Sequence, residues 1–254
     1  GDQLYQMDFA EMLDNHKALG ADISVATIPV AEREASEFGI LKSGDGLIKS
    51  FIEKPKKELL EEWISDTGDD MKNQGRNYLA SMGIYIFNTK LLYELLRDEY
   101  KDATDFGKEI IPNSIDKYKV ASYQYDGYWT DIGNIYSFFE ANLDLTKEIP
   151  LFNLFDNDRN IYTRPRMLPP AKISGTTLEK TLVAEGSIIH ASRIESSVIG
   201  IRSRIGNGST VVSTYMMGND YYETLNDIVD VSSNGLPLLG VGDRCYIKNA
   251  ILDK

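Results

Sequence analysis

The spacing of apolar and polar residues changes character along the chain, and each change marks an element. Asp8 caps a predicted helix that runs through Lys17 and stops at Gly20, and Ile23 to Val30 then alternates as a strand does. Gly39 to Lys42 and Leu47 to Glu53 flank Ser43-Gly44-Asp45-Gly46, where glycines supply the positive φ of a tight hairpin turn. Lys56 to Trp63 reads as a short helix and Asp66 to Asn77 as a polar, mobile loop. Then follow an apolar strand, Tyr78 to Phe87, a helix, Leu91 to Tyr100, and a further strand, Val120 to Tyr125. Strands alternating with helices predict an α/β domain with a mainly parallel sheet covered on both faces and ligands at the carboxyl ends of its strands.

After Thr146 the pattern is different. Pro150, Pro165, Pro169 and Pro170 punctuate an extended segment that cannot continue as a helix, so a linker is placed at 147–172 between a first domain, 1–146, and a second, 173–254. In the second, aliphatic residues recur at six-residue steps: Leu182, Ile188, Ile194, then Ile199, Ile205, Val211, with Val241 and Ile247 resuming the count. That is the hexapeptide period of a parallel β-helix, expected to be left-handed. Tyr215 to Gly240 interrupts it, and Asn234-Gly235 suggests a hairpin-like excursion.

At 254 residues and 42% hydrophobic content the chain can bury a real core. A formal charge of −12 repels nucleic acid and anionic membranes, so any phosphate ligand must be met by local Lys, Arg or metal. The lone Cys245 excludes an internal disulfide and fits a reducing compartment, hence a cytoplasmic expectation. No apolar run approaches the roughly 20 residues that span a bilayer.

Tyr128-Trp129-Thr130-Asp131-Ile132-Gly133 puts an Asp at a strand end and a Gly turn before an amphipathic helix, where an α/β enzyme holds a metal-binding carboxylate. Four further segments accompany it: Gly1-Asp2-Gln3-Leu4-Tyr5, Phe51-Ile52-Glu53-Lys54-Pro55, Ser81-Met82-Gly83-Ile84-Tyr85 and Asp105-Phe106-Gly107-Lys108-Glu109. With Ile161 to Lys172, these ordered motifs make the chain resemble the glucose-1-phosphate adenylyltransferases of bacterial glycogen and plant starch synthesis. The resemblance implies a partial Rossmann-like nucleotidyltransferase domain before the β-helix, and an allosteric homotetramer. It implies ATP and glucose 1-phosphate as substrates, and Mg²⁺ as cofactor. The family's Gly-rich phosphate loop is absent and the first residue is Gly1, so the chain is read as a piece of a longer protein that does not turn over by itself.

By the same resemblance, Asp2 and Asp131 are the catalytic carboxylates that hold Mg²⁺, a hard cation that takes oxygen ligands. From the residues alone, Asp2 reads as a turn residue and Asp131 as a cap for the helix after Gly133, and only the resemblance turns both toward the metal. Lys54 is assigned to the sugar phosphate and Glu53 to glucose hydroxyls, against an ordinary solvated charge run. Ser81 and Tyr85, four apart on a strand, face one side and can reach one sugar, or they pack the core. Asp105 contacts the sugar phosphate or caps a helix to Ile111, and Gly39 permits close sugar approach or merely turns the chain. Two other classes compete. A β-helix acyltransferase would use His190 as its base but leaves the upstream motifs unexplained, and a regulatory subunit would have lost Asp2, Lys54 or Asp131. Other sugar-nucleotide pyrophosphorylases share the fold.

Overall fold

The computed structural model describes residues 2–253. The chain divides into two compact units, one of residues 6–129 and one that joins residues 2–5 to Thr130 onward. No helix among the described residues is long and apolar enough to cross a membrane.

In the first unit five strands close on one another in the order β2 (Ile23–Val30), β5 (Tyr78–Phe87), β3 (Gly39–Gly44), β4 (Leu47–Glu53), β6 (Val120–Gln124). Only β2 and β6 run parallel; the other pairings are antiparallel, which corrects the mainly parallel sheet expected from the alternation. The reason is local. The β3–β4 connection is a two-residue turn, Asp45 and Gly46 at φ 54° and 74°, and so short a link can only join antiparallel strands. Strand β2 is buried at every position rather than on alternate ones. One side of this sheet packs Ile23, Val25, Leu41 and Leu79 against Leu91, Leu95, Ile110 and Ile111, so burial and not amphipathic alternation selects its residues.

The helix Phe9–Ala18 forms where Asp8 caps it, the carboxylate accepting from Ala10 N at 2.8 Å. Lys57–Trp63 is a 3₁₀ helix, and the expected helix from Leu91 is a short α-helix, Thr89–Glu94, continued by a π-helical turn, Leu95–Glu99. The segment expected as a mobile loop is anchored: Asp69–Asn73 is helical, Thr67 Oγ1 donates to Arg76 O, and Gln124 Nε2 donates to Thr67 O.

In the second unit β1 (Gln3–Tyr5) pairs with β7 (Trp129–Asp131), and from Lys172 onward the strands form a parallel β-helix with three inward ladders. Ile173, Ile189, Ile205 and Val241 make one ladder. Leu178, Ile194, Val211 and Ile247 make the second, and Val183, Ile199, Met216 and Leu252 the third. Steps between inward positions are thus a mixture of five and six residues, so a strict six-residue count slips by one. Leu182 and Ile188 are the residues misplaced by the slip: they lie half-exposed beside Val183 and Ile189, which turn inward, because adjacent strand residues face opposite sides. The excursion between coils carries a helix, Leu225–Ser233, and not a hairpin. Asn234-Gly235 ends that helix: Gly235 sits at φ 65° and Leu236 N donates to Val231 O, a glycine stop of Schellman type. The helix Ile135–Asp144, expected in the first domain, belongs to this unit, where Phe138 meets Tyr215 edge-on with ring centres 5.4 Å apart.

Candidate functional site

Within the first unit the end of β4 sets one cluster. Glu53 is the cross-strand partner of Gly39, and Lys54 follows in the left-handed region at φ 48°, its N–H donating to Phe38 O at 3.0 Å. A Cβ on Gly39 would overlap Phe51 Cζ and lie 2.7 Å from Glu53 Oε2. Gly39 therefore sits on a strand rather than in a turn, and its missing side chain is the space that the Glu53 carboxylate occupies.

Asp105 caps the turn Phe106–Ile110: Oδ1 accepts from Lys108 N at 3.0 Å, and Lys108 Nζ lies 3.8 Å from Oδ2. Glu109 reaches back, accepting from Thr104 N and Asp105 N at 2.8 and 3.0 Å, which fixes the approach to that turn. The turn places Gly107 among three acidic or phenolic groups. A Cβ there would lie 3.4 Å from Asp105 Oδ1, 3.5 Å from Glu53 Oε2 and 3.9 Å from the Tyr85 hydroxyl. Tyr85 is held by stacking on Phe106, ring centres 5.8 Å apart at 25°.

The electrostatics follow from this convergence. Burial raises the Glu53 carboxyl above its usual value; Lys54 and Lys108 pull it down and Asp105 pushes it up. Burial likewise raises the Tyr85 phenol, with a hydrogen bond from Ser81 opposing and the charges of Glu53 and Asp105 reinforcing. The structure thus brings Gly39, Glu53, Ser81, Tyr85 and Asp105 together, with Lys54 beside Glu53. Two residues of this cluster carried no individual assignment from sequence. Lys108 supplies a second cation, and Gly107 leaves room at the centre; both stood in the Asp105 to Glu109 motif, whose spacing alone does not say which side chains face Glu53.

In the second unit Asp2 and Asp131 form a separate pair. Ile132 N donates to Asp2 O at 2.8 Å, and Gly133 N to Asp131 Oδ1 at 2.7 Å. A Cβ on Gly133 would lie 2.9 Å from Asp131 Oδ1 and 3.7 Å from Asp2 Oδ2, so both carboxylates converge above this glycine. Among the described residues no group of three or more His, Cys, Asp or Glu is arranged for a metal. Two half-exposed or exposed carboxylates nevertheless suit Mg²⁺, which keeps several waters and binds through one or two carboxylates plus phosphate oxygens. The capping alternative for Asp131 fails: the following helix is capped by Asn134, whose Oδ1 accepts from Ser137 N at 2.9 Å.

The nucleotidyl transferase family profile matches residues 1–148, and the profile of the GLGC left-handed parallel β-helix domain matches residues 166–254. A curated relative, the chloroplastic/amyloplastic glucose-1-phosphate adenylyltransferase small subunit of Triticum aestivum, is 41% identical over 261 aligned positions. These cover 100% of this chain and 55% of the relative, so the chain spans about half the length of the relative it matches.

Proposed function

The chain belongs to the nucleotidyl transferase family, and on that premise we propose that its gene product is a glucose-1-phosphate adenylyltransferase, joining ATP and glucose 1-phosphate to give ADP-glucose and pyrophosphate. The observation that carries this reading is the convergence of Glu53, Asp105 and Tyr85 on Gly107, with Lys54 and Lys108 beside them. Carboxylates accept from sugar hydroxyls, the stacked phenol walls the ring, and ammonium groups meet a phosphate; few other ligands use all three. The name of the wheat relative supports the same substrates.

In the proposed reaction an oxygen of the sugar phosphate attacks the α-phosphorus of ATP in line and pyrophosphate leaves. Lys54 and Lys108 hold the sugar phosphate and offset its charge. Glu53 and Asp105 orient the sugar through its hydroxyls, and Glu53 does so best when ionised, which its two lysine neighbours favour. Asp2 and Asp131 would hold Mg²⁺, which when bound neutralises charge growing on phosphoryl oxygens.

In the full-length gene product, Lys54→Ala should raise KM for glucose 1-phosphate roughly 30- to 150-fold and change KM for ATP little, as loss of one charge-assisted phosphate contact requires. Equal effects on both substrates would assign Lys54 to the fold or the nucleotide. Undetectable pyrophosphate release by the wild-type gene product, with sugar phosphate still bound, would turn the reading toward a regulatory subunit.

A further inference from the structure

In an uninterrupted strand β4 the side chains of Glu53 and of the residue after it would point to opposite faces, and Glu53 faces the space over Gly39. Lys54 instead turns the chain at φ 48°, a left-handed conformation that its Cβ disfavours. It also precedes Pro55, whose ring pushes the residue before it toward extended conformations. A conformation disfavoured twice persists only where the surroundings over-determine it, and such residues gather at ligand clamps.

Contacts that meet at Phe38 supply that determination. Its N–H donates to Ala35 O at 3.4 Å, tying it to the short helix Glu32–Ala35, and its carbonyl accepts from Lys54 N at 3.0 Å. Its half-buried ring meets the Trp129 ring edge-on, centres 5.2 Å apart at 69°. On the far side of the step Pro55 is buried, while Lys54 itself is exposed, so the backbone is held and the ammonium can meet a ligand. Burial raises the Glu53 carboxyl, and of the charges that act on it Lys54's is the strongest and lowers it.

We propose that Phe38 is a positioning residue for the sugar phosphate: through its carbonyl it holds Lys54 in the left-handed step that directs the ammonium into the Glu53 cluster. The inference rests on the reading of Lys54 as the phosphate cation. The ring matters even though the bond to Lys54 is made by the backbone. Gly39, the next residue, has no side chain to anchor the chain there, so the ring against Trp129 fixes the direction of the Phe38 carbonyl. A hydrogen bond weakens steeply once its acceptor is misaligned. Leu in place of Phe38 keeps an apolar group but loses the edge contact with the indole.

Titration calorimetry of the full-length gene product with glucose 1-phosphate, at saturating Mg²⁺ and α,β-methylene ATP, tests the assignment through a double-mutant cycle of Phe38→Leu and Lys54→Ala. Phe38→Leu should weaken glucose 1-phosphate roughly five- to twentyfold and leave the ATP analogue within about twofold. With Lys54 already replaced, adding Phe38→Leu should weaken binding by less than about twofold, because the group it positions is gone. A side chain that merely packs would weaken both backgrounds alike. Should Phe38→Leu lower the melting temperature appreciably, Phe38→Met, whose longer chain reaches further into the ring's space, carries the same cycle. A Phe38 effect below about twofold, or one equal in both backgrounds, would overturn the proposal. Wild-type affinity in Lys54→Ala would overturn the reading of Lys54 and the proposal with it, whereas a large Lys54→Ala loss beside an unaltered Phe38→Leu overturns the proposal alone.

Discussion

Glu53 and Asp131 are both carboxylates, but their surroundings differ, and so do the outcomes expected on replacing them. The Glu53 carboxyl is raised by burial above its ordinary 4.5, so folding favours its protonated form. Its contribution to stability is therefore fully present below the unfolded value and is lost as pH rises through the folded one. Glu53→Gln, which imitates the protonated acid, should raise the melting temperature slightly at pH 7 and leave it unchanged near pH 3, while raising KM for glucose 1-phosphate; thermal scans at the two pH values with steady-state kinetics check both halves. Asp131 accepts one backbone N–H and faces Asp2. Asn keeps its size and loses the charge that holds a hard cation. Asp131→Asn in the full-length gene product should lower kcat by several orders of magnitude, be partly rescued by raised Mg²⁺ or by Mn²⁺, and melt near the wild-type temperature. Near-normal kcat would remove Asp131 from the site.

At the scale of elements, the local signals that involve only neighbouring residues were legible, and those that depend on a partner strand were not. Asp8 and Asp105 cap the helical segments that follow them, and Asp45-Gly46 turns the hairpin, because capping and positive φ are settled within four residues. The sequence offered Asp131 as the cap of the helix Ile135–Asp144, whereas in the structure Asn134 caps it, its Oδ1 accepting from Ser137 N. Asn134→Ala should accordingly destabilise the protein by about 1 kcal/mol in denaturant unfolding, as loss of a side-chain cap does. If Asn134→Ala is neutral, the capping assignment is mistaken. Asn234-Gly235 shows the limit of a two-residue signal, since the same pair suits a hairpin turn and a helix stop, and only the Leu236-to-Val231 bond distinguishes them.

For the molecule as a whole, the second unit rests on a stack in which each inward side chain has a neighbour one coil above and below. Ile194 is wholly buried between Leu178 and Val211, whereas Ile188, six residues earlier, is partly exposed beside Arg204. Ile194→Ala should cost about 2–5 kcal/mol and Ile188→Ala clearly less, measured by chemical denaturation of each. Equal losses would show that a strict six-residue count, and not the mixed five- and six-residue spacing, tracks the core. The first unit is decided differently: its sheet is held by pairings such as Ile40 with Ala80 and Ile23 with Val120, far apart in the chain.

The sequence by itself determined the succession of an α/β domain and a β-helix, the caps at Asp8 and Asp105, the hairpin turn at Asp45-Gly46 and the segments that carry chemistry, because aliphatic periodicity and turn residues act over a few positions. It also singled out Glu53, Ser81, Tyr85 and Asp105, through motifs rather than through geometry. Outside the β3–β4 hairpin, strand direction was settled only by the tertiary structure, since β5 lies between β2 and β3 and pairing across long loops leaves no local pattern. So was the inward register of the coils, where one residue separates Ile188 from Ile189 and a strand's faces alternate. The crowding of Phe51 and Glu53 into the space left by Gly39, and the meeting of three side chains over Gly107, arise only when strands and a helical turn from distant stretches of the chain are packed together.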